Sequence, residues 1–138
     1  MDIPNNTYVS LGFGKNMFNV DMIAWLAQGD VYKAVDYWST EKNTPAEDTV
    51  QNLPTTFEAN QDNTRVTFTT KRKLDTGDAD QDYLIRLNEA TDMVWAVHWS
   101  SGVWKEHTKY GKFQATFSSS LGNTNLSNIA GKISLTTG

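Results

Sequence analysis

Apolar and polar residues alternate through most of the chain with a period of two, the mark of half-buried strands. Val9, Leu11 and Phe13 alternate with Tyr8, Ser10 and Gly12. Gly14-Lys15-Asn16 supplies turn chemistry. Val20, Met22, Ala24 and Leu26 then alternate with Asp21, Ile23 and Trp25, a second strand with apolar residues on both faces. Gln28-Gly29-Asp30 turns the chain into a third run, Val31–Trp38, so residues 8–38 predict a three-stranded meander. Met1–Asn6 is polar, holds Pro4 and reads as a lead-in.

Residues 39–64 break the pattern. They are rich in Thr, Asn, Gln, Glu and Pro, with Val50, Leu53 and Phe57 as apolar anchors. They predict a long loop with short strands near 50–52 and 56–59, and loops of that length tend to be functional or to cover something. Arg65–Arg72 is a clean strand, with Val66 and Phe68 on one side and Thr67 and Thr69 on the other. Leu74–Gln81 is an acidic turn around Gly77, and Asp82–Leu87 alternates again. Met93–Trp99 is the most hydrophobic strand, with Met93, Trp95, Val97 and Trp99 on one face and Val94, Ala96 and His98 on the other. Val103–Tyr110 is mixed, Gly111–Ser118 is a strand through Phe113, Ala115 and Phe117, and Ser119–Asn128 is a Ser/Asn/Gly linker before a last strand at Lys132–Thr136. No stretch has a helical period. The many short strands at close spacing predict an all-β fold, an antiparallel β-sandwich. Residues 7–117 form the expected domain, and 118–138 the polar linker with its last strand.

With 138 residues, the chain suits one domain with a sizeable core. A net charge of −4 argues against nucleic acid as a partner, because phosphate binding needs a concentrated basic surface. The basic run Lys71-Arg72-Lys73 is followed at once by acidic residues. The absence of cysteine excludes disulfides, thiolate nucleophiles, iron–sulfur clusters and covalently attached haem within this chain. No stretch approaches the ~20 apolar residues of a membrane span. No secretory leader is visible, and a trimmed chain would have lost one. Two glycosylation sequons, Asn5-Asn6-Thr7 and Asn125-Leu126-Ser127, add a little weight to an extracellular location.

Few residues offer chemistry. There is no Gly-x-Ser-x-Gly elbow for a nucleophilic hydrolase. Asp75, Asp78, Asp80 and Asp82 invite a calcium reading. Tyr83, however, stands where an EF-hand loop opening at Asp78 needs glycine, which leaves only a looser loop site. Met17 is an apolar thioether at the end of a polar turn, either a soft ligand at the rim of the sandwich or a gap-filling core side chain. Two histidines are present: His98 inside an apolar strand and His107 in a loop before a strand. Each is ordinarily a hydrogen-bonded or surface residue. A Met and a His on strand-flanking loops are also an axial pair for haem b, which needs no cysteine.

Several segments together resemble the DOMON domains. These are extracellular β-sandwich modules related to the cytochrome domain of cellobiose dehydrogenase and to the N-terminal region of dopamine β-monooxygenase. The segments are Tyr8-Val9-Ser10-Leu11-Gly12-Phe13-Gly14 with Met17, Val20-Asp21-Met22-Ile23 and Trp25, Asp36-Tyr37-Trp38-Ser39, Arg72-Lys73-Leu74-Asp75-Thr76-Gly77-Asp78, and Trp95-Ala96-Val97 followed by His107 and Gly111. The likeness implies an immunoglobulin-like sandwich over residues 8–117, with the one or two strands that usually precede the Gly-Phe motif nearly absent. In haem-binding members the axial ligands are the Met after that motif and the His of the His-x-x-x-Gly element. By position these are Met17 and His107, with Met22 and His98 as alternatives off the motif. The implied function is a secreted or cell-surface, non-catalytic haem b module for electron transfer or redox sensing, its redox partner unidentified. The competing expectation is a haem-free sandwich that binds carbohydrate or protein, or assembles with copies of itself.

Overall fold

The computed structural model describes residues 1–118 and the backbone of 130–131. Its centre is strand β2 (Thr7–Phe13), buried along its whole length and paired on both edges. On one edge lies β3 (Val20–Gln28), then β4 (Val31–Ser39) and the two-residue β5 (Ala46–Glu47). On the other lie β9 (Ala90–His98) and β10 (Lys109–Thr116). These six strands form one antiparallel sheet in the order β10-β9-β2-β3-β4-β5. The meander expected over residues 8–38 is therefore its middle.

A smaller sheet packs against it, ordered β1-β7-β6, from β1 (Asp2–Pro4), β6 (Thr55–Ala59) and β7 (Arg65–Thr70). Strand β8 (Arg72–Lys73) pairs with β11 (Ala130–Gly131). Among the described residues there is no helix. The fold is an all-β antiparallel sandwich, as the alternation predicts.

The core between the two sheets takes Val9, Leu11 and Phe13 from β2, Ile23, Trp25 and Ala27 from β3, and Met93 and Val97 from β9. Ile3, Val66 and Phe68 oppose them from the smaller sheet. Each large apolar side chain buried this way contributes roughly 1.5–3 kcal/mol. The Trp25 indole N–H, buried in this layer, donates to Thr70 Oγ1 across it at 2.8 Å, as a buried polar group must. Strand β3 is apolar on both sides because its other face is also covered. Tyr8, Val20, Met22, Ala24, Leu26, Val35 and Tyr37 form a second buried cluster there.

Three expectations need correction. Met1–Asn6 is not an irregular lead-in: Asp2, Ile3 and Pro4 pair with Thr67, Val66 and Arg65, and Ile3 is buried. A strand thus precedes the Gly-Phe motif after all. Asp82–Leu87 is not a strand. Its backbone donors go to scattered partners, Tyr83 N–H to the Asp21 carboxylate and Ile85 N–H to the Leu74 carbonyl, and only Leu87 makes a bridge, to Phe117. Alternation there reports one buried anchor, Ile85. In the long loop, the expected strand at 50–52 is absent and a short one lies at 46–47, while 55–59 bears out the other. The mixed segment 103–110 stays a loop until Lys109. The linker Ser119–Asn128 and the strand expected at Lys132–Thr136 lie outside the described residues.

Candidate functional site

The second face of the large sheet is closed by the loop between β9 and β10. Gly102 pins that loop against the β3 end: its N–H donates to Gln28 Oε1 at 2.8 Å, and a Cβ there would lie 1.8 Å from the Ala27 carbonyl oxygen. Two residues on, Trp104 lies stacked between Tyr8 and Tyr37, with ring centroids 4.8 and 4.9 Å away. The Tyr8 hydroxyl donates to the Lys105 carbonyl at 2.5 Å. Burial, helped by the nearby Glu106 carboxylate, pushes the Tyr8 phenol up to about 12, so it remains a donor at any physiological pH.

Both residues expected as axial ligands border this sheet. Met17 sits half-buried in the β2–β3 turn, where its carbonyl accepts from the Ser39 hydroxyl at 2.7 Å. His107 is half-buried in the β9–β10 loop, its ring against Tyr110 at 4.8 Å. The next residue, Thr108, donates its N–H to the Val97 carbonyl. Val97 pairs with Val9, whereas the Met17 turn leaves the sheet beyond Phe13. Four residues at ~3.3 Å each put roughly 13 Å of strand between these two anchor points. The structure therefore places Met17 and His107 at opposite ends of the sheet and does not bring them together. Of the alternatives, Met22 is fully core, and His98 packs 6.0 Å from Tyr8 with Nδ1 accepting from Ser100 N–H. In chemistry the donor set suits haem iron, a soft thioether and an imidazole beside an apolar face. In arrangement, Trp104 already fills the centre of that face.

A second cluster lies where β3 and β4 meet the 48–52 and 74–83 loops. Asp21, Asp36 and Asp82 each contribute a carboxylate oxygen, all within 4.8 Å of one another. Asp21 and Asp36 are 1% exposed and Asp48 is 4% exposed. The Arg72 guanidinium donates to Asp21 Oδ2 at 2.6 Å and to the Tyr83 carbonyl at 2.7 Å, and Tyr83 N–H donates to the same Asp21 oxygen. Gln51 ties β4 to the loop, accepting from Asp36 N–H and donating to the Asp36 and Asp48 carbonyls. Asn52 Nδ2 donates to Asp82 Oδ2 at 2.8 Å. Burial, reinforced by the charges of Asp21, Asp82 and Asp48 and opposed by Arg72, raises Asp36 to about 8.

The calcium reading of the sequence picked one member of this cluster and missed the rest. Asp75 and Asp78 make local turns, accepting from Gly77 N–H and from Asp80 and Gln81 N–H. Only Asp82 turns inward. The overlooked signal was Asp21 and Asp36, charged residues inside strands whose neighbours are apolar on both faces. An acid buried in such a strand needs a partner.

The profile of the DOMON domain matches residues 2–98. A search of curated proteins by sequence finds no match. Among solved structures, the cytochrome b domain of pyranose dehydrogenase from Coprinopsis cinerea is similar in fold, with a TM-score of 0.54 and 17% identity over 83% of this chain. The chain spans 64% of that structure's length. Among the described residues, no helix is long and apolar enough to cross a membrane.

Proposed function

The chain belongs to the DOMON domain family, and from that premise we propose that it is an extracellular, non-catalytic haem b module that carries single electrons, with Met17 and His107 as axial ligands. What supports this best is the family membership together with the donor types on offer, a half-buried thioether and a half-buried imidazole, although their connections would have to draw together to hold one iron. The fold's similarity to a cytochrome b domain supports it too. Bound haem would supply a reversible one-electron couple, and Met/His ligation raises its potential. The chain's own part is to exclude water with the apolar face and to present the two donors. Because Trp104 covers the apolar face between Tyr8 and Tyr37, haem loading there would need the β9–β10 loop to lift from those two rings.

Haemin titration of the purified chain tests this. Stoichiometric uptake, with a sharp Soret band and resolved α and β bands on reduction, is expected. Met17→Ala and His107→Ala should each abolish the six-coordinate spectrum. No uptake overturns the reading, and variants that both keep the wild-type spectrum overturn the ligand assignment.

The filled face favours a second reading, a haem-free DOMON sandwich that binds carbohydrate or protein or assembles with itself. A chain that takes up no haemin yet retains a glycan or self-associates in sedimentation would establish it.

A further inference from the structure

Three carboxylates meet in one place, with a fourth and an amide nearby, and they have too few donors. Asp21 Oδ1, Asp36 Oδ1, Asp48 Oδ2, Asn52 Oδ1 and Asp82 Oδ1 are all buried and accept no hydrogen bond. A buried oxygen left without a donor costs about 1–3 kcal/mol, more when charged. Buried carboxylates that cluster in a folded core call for a positive partner. Among the described residues Arg72 is the cation facing them, and it is bonded to Asp21 Oδ2 and the Tyr83 carbonyl. One guanidinium against four carboxylates leaves the cluster three negative charges in excess when all are ionised.

We propose that Asp21, Asp36 and Asp82 bind a divalent cation, Ca²⁺ by its chemistry. The donors are all hard oxygens, which select Ca²⁺ or Mg²⁺ over softer metals. Ca²⁺ takes 6–8 oxygens at about 2.3–2.6 Å in irregular geometry, so two oxygens on one ion lie up to ~5 Å apart. The three carboxylate oxygens fall within that limit. Mg²⁺ demands a tighter octahedron and usually keeps several of its waters.

The surroundings orient the ligands. Arg72 and Tyr83 N–H hold Asp21 by Oδ2, leaving Oδ1 for the ion. Asn52 holds Asp82 by Oδ2, again leaving Oδ1. Val50 N–H holds Asp48 by Oδ1, leaving Oδ2. Second-partner fixing of this kind is what metal ligands require. The ion would join β3 and β4 to two loops that otherwise have little regular structure.

The test uses the full chain, stripped with EDTA and without haem, so it is independent of the haem reading. Calorimetric titration with Ca²⁺ should show one saturable site per chain and a higher Tm. Mg²⁺ should do less. Asp36→Asn and Asp82→Asn should each weaken Ca²⁺ binding at least about tenfold, and Asp78→Asn, in the neighbouring acidic turn, should not. Asp82 is the more exposed ligand, so its variant keeps the test usable if Asp36→Asn does not fold. No saturable binding up to about 10 mM, well above the range of weak extracellular sites, overturns the proposal. So does binding that both variants retain. If Ca²⁺ has no effect and Asp36→Asn raises the Tm of the stripped protein, the cluster is held by a shared proton instead, and the site does not exist.

Discussion

Arg72 joins three parts of the molecule. Its guanidinium bonds Asp21 on β3 and the Tyr83 carbonyl, and lies 4.9 Å from the centroid of the Phe13 ring. Because Arg72 and Asp21 are both buried, removing the cation strands a charge. Arg72→Met in EDTA should cost about 3–5 kcal/mol in urea denaturation; a loss below about 1 kcal/mol would mean that Asp21 is already neutral. Asp36 gives a pH signature. Its folded value of about 8 stands well above the ordinary carboxylate. The folded state therefore holds a proton that the unfolded chain has released, and Asp36's contribution to stability falls as pH rises between about 4 and 8. Measured without metal, Asp36→Asn should gain on the wild type steadily across that window, and a flat difference would refute the assignment. Residue by residue, the sequence named Asp82 for its acidic neighbours, but what placed it was Asn52, thirty positions away.

Among the elements, the β9–β10 loop is the one the alternation could not describe. Its residues follow no period because they answer to partners on β2, β3 and β4: Tyr8, Gln28 and Tyr37. Gly102 fixes it, since a methyl there would meet backbone that cannot move aside. Gly102→Ala should lower stability by roughly 1–3 kcal/mol, the range for overpacking. It should also speed limited proteolysis within 99–108 well beyond any change in the sheet strands. Equal cleavage in both proteins would show that the loop is held elsewhere. The strands themselves were legible where one or both faces are buried, as in β2, β3, β7 and β9. Asp82–Leu87 misled because a single buried side chain, Ile85, carries the same short-range pattern as a strand.

Across the whole molecule, the sandwich depends on its smaller sheet, and that sheet depends on the first residues. Ile3 sits against the core with Val66 and Phe68, and Pro4 tolerates its edge position because β1 pairs on one side only. Ile3→Ala should cost about 2–5 kcal/mol, as for other buried Ile positions. A near-neutral result by thermal or urea unfolding would mean that β1 is dispensable. The chain alone determined the strand faces, the all-β class and the meander at its centre. Period-two burial is a local property, written in neighbouring residues. It also determined which residue types were on offer: no thiol, two imidazoles, one thioether in a turn. Only the tertiary structure decided that residues 2–4 close a sheet, that Met17 and His107 stand at opposite ends of a face filled by Trp104, and that Asp21, Asp36 and Asp82 meet. Those facts rest on contacts between residues far apart in the chain, set by sheet order and loop path, and no local pattern of hydrophobicity encodes them.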